Sequence, residues 1–320
     1  MAWLVRDTFG QAQASGVGWL MLGITGLCVL LFSTLRIEGT GATRLAEDIE
    51  LTNELGEAMA APHQNSGSMS LAFGTIRLPL FRDNQSQVRF LLALLAQWVA
   101  GAGGTLFVLI WTAGLLPEFL QAGTAQLFLT RPLKRSSILI YKYLSIIIVI
   151  GAHATLFVSA TWLTVALSTG VWEPCYLFCL PVLIAQFCVF FAFTTLLAVV
   201  TRSGVASAFG VLIFWVLCFA MNLGRHSSVV VESRGVGSGG RVPIFGLATE
   251  SAYWILPKPC DFLVLLQRAV GAREHFRVLP ELQAVQDLGT FEPFWSVVSS
   301  LVFGVVVLWA ACFEFSQVDY

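Results

Sequence analysis

Six apolar runs, each about as long as a helix that crosses a bilayer, divide this 320-residue chain and leave few folds open to it. A hydrocarbon core needs about 20 helical residues at about 1.5 Å each. The runs lie at 17–35, 90–116, 143–167, 176–200, 205–223 and 293–315. They show neither a solenoid period nor the alternation that barrel strands require. Charged residues make up 12% of the chain, against roughly a quarter in soluble domains, and mean hydropathy is +0.78. These features predict an all-α integral membrane protein with six transmembrane helices. A net charge of -1 offers no field for a polyanion, so nucleic acid is not an expected partner.

The connections carry their own signals. Residues 1–16 place Trp3, Val5, Phe9 and Ala12 at helical spacing among Arg6, Asp7, Gln11 and Gln13, which predicts an amphipathic helix lying in the membrane interface. The run at 17–35 is followed at once by polar and basic residues with no small-residue cleavage site, and reads as a retained span. Residues 36–89 form a long polar segment. Leu45, Ile49, Leu55 and Met59 suggest an amphipathic helix there, and "SMSLAFGTIRLPLF" a short hairpin ended by Pro79. Residues 224–292 form a second long segment, with a glycine-serine stretch expected to be mobile. Next comes "YWILPKPCDFLVLLQRAV", where an apolar helix too short to span reads as interfacial.

Orientation follows the basic bias of short loops. Arg131, Lys134, Arg135 and Lys142 crowd the connector at 117–142, and Arg202 follows the fourth run, whereas the loop after the third holds Glu173 and no base. Both termini and the basic connector are therefore expected in the cytoplasm, with the two long segments outside.

Several chemistries find no support. Apart from His153, the spans hold essentially no ionisable residue, so nothing visible couples transport to a proton gradient. His153 has no carboxylate partner in a neighbouring run and reads as a hydrogen-bonded packing residue. No HExxH pair exists, and "NSGSMS" lies in a polar loop without an oriented base. The three lysines, Lys134, Lys142 and Lys258, do not follow a glycine, so no phosphate loop is present. Cys175 and Cys179 lie a helical turn apart, but nothing nearby completes a zinc set. Small residues collect at Ala100, Gly101, Gly103 and Gly104, where they suit packing within the bundle or a dimer seam, and at Gly204, Ser207 and Ala208.

The connector itself reads as a short, partly apolar helix between Pro117 and Arg131-Pro132. A new helix starts at Ser136 or Ser137 and carries Lys142 into the third span. A lipid-binding basic anchor explains the charge but not the apolar helix between two prolines. The pattern Glu118, Gly123-Thr124, Leu127, Leu129, Arg131-Pro132, Arg135 and Lys142-Tyr143 resembles the cytoplasmic connector of the membrane subunits of ABC type-2 transporters. The N-terminal amphipathic elbow, six spans and a long outer segment after the first span extend the resemblance.

The resemblance implies a permease subunit, expected to be an exporter, in a bacterial cytoplasmic membrane. It would pair with itself or a close relative and couple to a separate ATP-binding subunit. The coupling set would be Glu118, Gly123, Thr124, Leu127, Arg131, Pro132, Arg135 and Lys142. ATP and Mg would belong to the partner, with no cofactor bound by this chain and no enzymatic activity of its own. The uncharged spans favour a lipid-like substrate and contact with membrane lipid. A non-transporting scaffold or signalling subunit that binds an envelope partner would use the same connector, and is the alternative.

Overall fold

A computed structural model describes residues 2–14, 16–39, 67–79, 84–119, 135–233, 244–271, 289 and 291–317. Among these, five helices are long and apolar enough to cross a membrane. A bent pair, Val5–Ala14 and Val17–Ser33, meeting at 77°, supplies a sixth candidate. The all-α membrane class is thus the fold, with a small sheet added to it.

Helix α1 spans Ala2–Ala14 and α2 spans Val17–Ser33. Gly16, at φ 72, makes the corner in a conformation that costs a glycine little. Thr34 closes α2 by donating its hydroxyl to Leu31 O at 2.7 Å, and its oxygen accepts the Ala72 N–H at 3.0 Å. That bond anchors an antiparallel sheet, β1 (Arg36–Gly39), β2 (Gly67–Leu71) and β3 (Ile76–Pro79), in the order β1-β2-β3. The hairpin expected before Pro79 is β2–β3, with Leu71 opposite Ile76. The amphipathic helix expected around Leu45 to Met59 lies outside the described residues.

The second span is one long helix of three parts: α3 (Asn84–Leu94), a π-helical segment (Leu95–Gly104) and α4 (Thr105–Phe119). The glycines explain the middle part. In a π-helix the carbonyl five residues back is the hydrogen-bond partner. A Cβ at Gly101, Gly103 or Gly104 would lie 2.9, 3.0 or 2.8 Å from the carbonyl oxygens of Ala96, Trp98 and Val99, each five residues back. Side chains at these positions would crowd the widened turn.

Helix α5 (Arg135–Thr169) is followed by a 3₁₀ turn (Pro174–Phe178), α6 (Cys179–Thr201) and α7 (Gly204–Ser233). Helices α8 (Ile244–Ile255), α9 (Pro259–Ala269) and α10 (Pro293–Gln317) complete the chain. Most span helices run past their apolar runs, because helical hydrogen bonding continues through polar residues such as Asn84–Arg89 and Gly224–Ser233. Contacts fix which helix ends share a face. Arg89 on α3 pairs with Glu173 after α5 at 3.1 Å, and Gln85 also donates to that carboxylate. The Trp162 ring N–H donates to Glu173 O.

Helix α9 departs from the interfacial expectation. Phe262, Leu263, Val264 and Leu266 are buried, because α9 packs into the bundle against the π segment. Gly101 leaves room for it, since a Cβ there would meet Leu266 Cδ1 at 2.8 Å. Gln97 donates to Leu263 O at 3.1 Å.

At the opposite face α4 and α7 touch through backbone. A Cβ at Gly204 would sit 3.1 Å from Gly114 Cα and 3.7 Å from Ala113 O. Backbone on both sides cannot give way as a side-chain tip can. Gly204→Val is expected to destabilise the protein by about 2 kcal/mol through overpacking, whereas Gly23→Val, at a site with open space around it, should be tolerated. Equal melting temperatures for the two variants in detergent would remove this account of the crossing.

Candidate functional site

A cavity of about 270 Å³ opens within the bundle, between α2, the π segment with α4, α5 and α6. Its walls are apolar, with Met21, Val99, Phe107, Ile147, Phe157 and Phe187 prominent. Gly103, Gly104 and Gly151 widen it where a side chain would intrude. Among the described residues lining it there is no Lys, Arg, Asp or Glu. Its polar side chains are Thr25, Thr105 and His153, and Thr25 Oγ1 lies 3.4 Å from His153 Nε2. His153 is thus the hydrogen-bonded residue the sequence suggested, but it borders an open cavity instead of a filled core.

A second polar centre lies where α7, α8, α9 and α10 meet. Asp261, in the first turn of α9, is completely buried and accepts hydrogen bonds from four side chains. His226 Nε2 reaches Oδ1 at 2.7 Å, so that nitrogen carries the proton, and Asn222 Nδ2 donates to the same oxygen at 3.3 Å. Tyr253 and Ser296 hydroxyls donate to Oδ2 at 2.7 and 2.5 Å. Burial pushes the Asp261 carboxyl up. The bond and charge of His226, with the Ser296 and Tyr253 hydroxyls, outweigh it and hold the carboxyl below its usual value. Burial and the adjacent Asp261 carboxylate push the Tyr253 hydroxyl up.

Cations ring this centre. Lys258 is buried, donates to Ser299 and sits 4.6 Å above the Tyr253 ring. Burial pulls its ammonium down to about 8, with Asp261 opposing and Arg225 reinforcing the shift. Arg225 lies 4.3 Å from the same ring and pairs with Glu250 at 3.1 Å. With an acid at its core saturated by donors and no nucleophile on the histidine, the centre is built to hold four helices together. The sequence hid it because His226, Tyr253 and Asp261 lie in a stretch that reads as loop, while Asn222 and Ser296 sit at the ends of two apolar runs where they read as span termini. Its visible traces were Asn222 and His226 at i, i+4 and an aspartate inside an apolar run.

The residues named for coupling are placed as follows. Residues 120–134, with Gly123, Thr124, Leu127, Arg131 and Pro132, lie outside the described residues, as do the side chains of Glu118 and Arg135. The backbone places Glu118 in the last turn of α4, which continues through Pro117, and Arg135 at the start of α5. Lys142 is fully buried and donates to Asp7 Oδ2 at 3.3 Å, Thr8 Oγ1 at 3.2 Å and Gln11 Oε1 at 3.0 Å. Helix α1 therefore turns its polar stripe inward onto α5, while Trp3 and Phe9 stay exposed toward the surroundings. Of the residues named for a dimer seam, Gly101 packs on α9, and Ala100, Gly103 and Gly104 line the cavity.

Comparison of the chain with protein-family models, curated proteins and solved structures finds no match.

Proposed function

We propose that this chain is the membrane subunit of an ATP-driven transporter of the ABC type-2 class. It would form a translocation path with a second such subunit and take its energy from a separate ATP-binding chain. The observation that carries the reading is the clamp of α1 on Lys142. The connector motif ends at Lys142-Tyr143, so a push on the connector would reach α5 at the residue that holds the N-terminal helix. Rigid elements joined at one buried residue suit the passing of motion from a cytoplasmic partner to the spans.

Two further observations favour a bundle with more than one arrangement. Gln186 on α6 is fully buried, and neither of its amide atoms has a partner among the described residues. An unpaired buried amide costs about 1–3 kcal/mol, a penalty that another arrangement of the helices would relieve. The glycine-lined π segment at the cavity is a second place where helix geometry departs from the minimum-energy α form, as is common at functional sites.

The test is copurification in mild detergent. An ATPase with a phosphate-loop motif should be recovered with the wild-type chain and lost, by tenfold or more, from Arg131→Glu/Arg135→Glu, whose reversed charges would repel the acids that arginine forks engage. Recovery of the same ATPase with both chains would remove the coupling role of the two arginines. Recovery with neither would favour a scaffold without ATP-driven work.

A further inference from the structure

The polar pair in the cavity occupies a particular depth. Thr25 lies eight residues from either end of Val17–Ser33. His153 lies 18 residues after Arg135 and 16 before Thr169, close to the middle of α5. Two polar side chains therefore meet at the mid-depth of the bundle, where a polar group is most costly to leave without a partner.

The hydrogen-bond inventory says which partner they lack. A threonine hydroxyl has one proton to donate, and Thr25 gives it to Met21 O at 3.0 Å. Toward His153 its oxygen acts as an acceptor, so His153 Nε2 must carry the hydrogen. With apolar walls and no carboxylate beside it the ring carries no charge, which leaves Nδ1 as a lone-pair acceptor. What this site seeks from a ligand is a donor, a hydroxyl above all. With no cation on the walls, an anionic head has nothing to hold it, and with no carboxylate an ammonium has nothing either.

Size and access limit the rest of the ligand. The cavity's volume of about 270 Å³ lies at the lower end of small-molecule pockets, which run to about 300–1,000 Å³. That is room for part of one chain, and Ile24 and Val99 on its lining are exposed, so the cavity communicates with the surroundings of the apolar helices. We propose that the cavity binds a neutral, single-chain lipid bearing a hydroxyl, with the hydroxyl donating to His153 and the chain running out into the bilayer. As a station for a lipid head halfway between leaflets this rests on the transport reading; as a binding site it does not.

The experiment uses the purified chain in phosphatidylcholine nanodiscs, without ATPase or nucleotide, and a long-chain primary alcohol carrying a photoreactive diazirine. Labelling should fall on cavity-lining segments of α2, α5 and α6. The unlabelled alcohol should compete about tenfold better than its methyl ether, which has the same chain and no donor, as expected for one buried hydrogen bond. The phosphate monoester should compete no better than the ether. Ala154→Phe, which fills the cavity, should abolish labelling. His153→Phe should erase the advantage of alcohol over ether.

Equal competition by alcohol and ether in the wild type, strong competition by the phosphate ester, or unchanged labelling of Ala154→Phe would each overturn the proposal. Because the assay contains no ATPase, its failure leaves the permease reading standing. Loss of the ATPase partner in the copurification test likewise leaves a positive binding result intact.

Discussion

Asp261→Ala is expected to melt about 10 °C below the wild type in detergent, the largest loss we foresee from a single side chain. The substitution removes the one acceptor shared by His226, Asn222, Tyr253 and Ser296, all of them buried. Each buried donor left without a partner costs about 1–3 kcal/mol. The Ser296 hydroxyl can rotate toward a backbone carbonyl and the Tyr253 hydroxyl can flip in its ring plane, but the His226 and Asn222 donors have directions fixed by their side chains, which sets a total of about 4 kcal/mol. At about 2–4 °C per kcal/mol for chains of 150–250 residues, that is the shift given. Asp261→Asn should lie between, since the amide keeps the shape but offers one acceptor oxygen in place of two. The centre should also respond to acid. Its carboxyl is held below the usual 3.8, so the stabilisation is present above that value and fades as pH falls through the lower folded value. Neither variant should show that part of the acid loss. A melting temperature for Asp261→Ala within about 2 °C of the wild type would mean that the four helices do not depend on this centre.

The centre also shows where sequence and fold part company. Spans were legible because twenty apolar residues in a row have few other uses, and the β2–β3 hairpin because "SMSLAFGTIRLP" alternates around a glycine. Helix α1 was legible as amphipathic, but not the side it would bury. Hydropathy predicts that Trp3 and Phe9 point away from the bundle, and both are exposed, yet it says nothing of a buried lysine 135 residues away from Asp7 waiting for its polar stripe. Helix α9 reads as interfacial because eleven residues cannot cross a bilayer. Its burial depends on Gly101 lying opposite Leu266, a long-range fit with no local signature. The glycine cluster was visible, but whether small residues serve another subunit, a neighbouring helix or a cavity depends on what the fold sets beside them.

Lys142→Glu is the substitution that separates bracing from docking. In the wild type the ammonium spends its donors on Asp7, Thr8 and Gln11 while fully buried, and Asp7 remains about a third exposed at 31%. Reversal puts a carboxylate against Asp7 with no water of its own. Breaking a buried pair and leaving a charge uncompensated costs about 3–5 kcal/mol, a large penalty for a 13-residue helix clamped at this lysine. Helix α1 should leave α5 while the spans stay folded. A cysteine at Ala12, which is buried in the wild type, should then react with a membrane-impermeant maleimide in a Cys175→Ser background. Asp7→Lys added to Lys142→Glu restores an opposite-charge pair and should restore protection. An equally protected cysteine in the single reversal would show that α1 is held by something other than this clamp. On the transport proposal, an ATPase should still copurify with Lys142→Glu, unlike Arg131→Glu/Arg135→Glu, because the arginines would touch that partner and the lysine would transmit its push. If substrate-stimulated ATP hydrolysis then persists at the wild-type rate, α1 is a passive float in the membrane surface; if hydrolysis continues but no longer responds to substrate, the N-terminal helix is part of the linkage between the cavity and the motor.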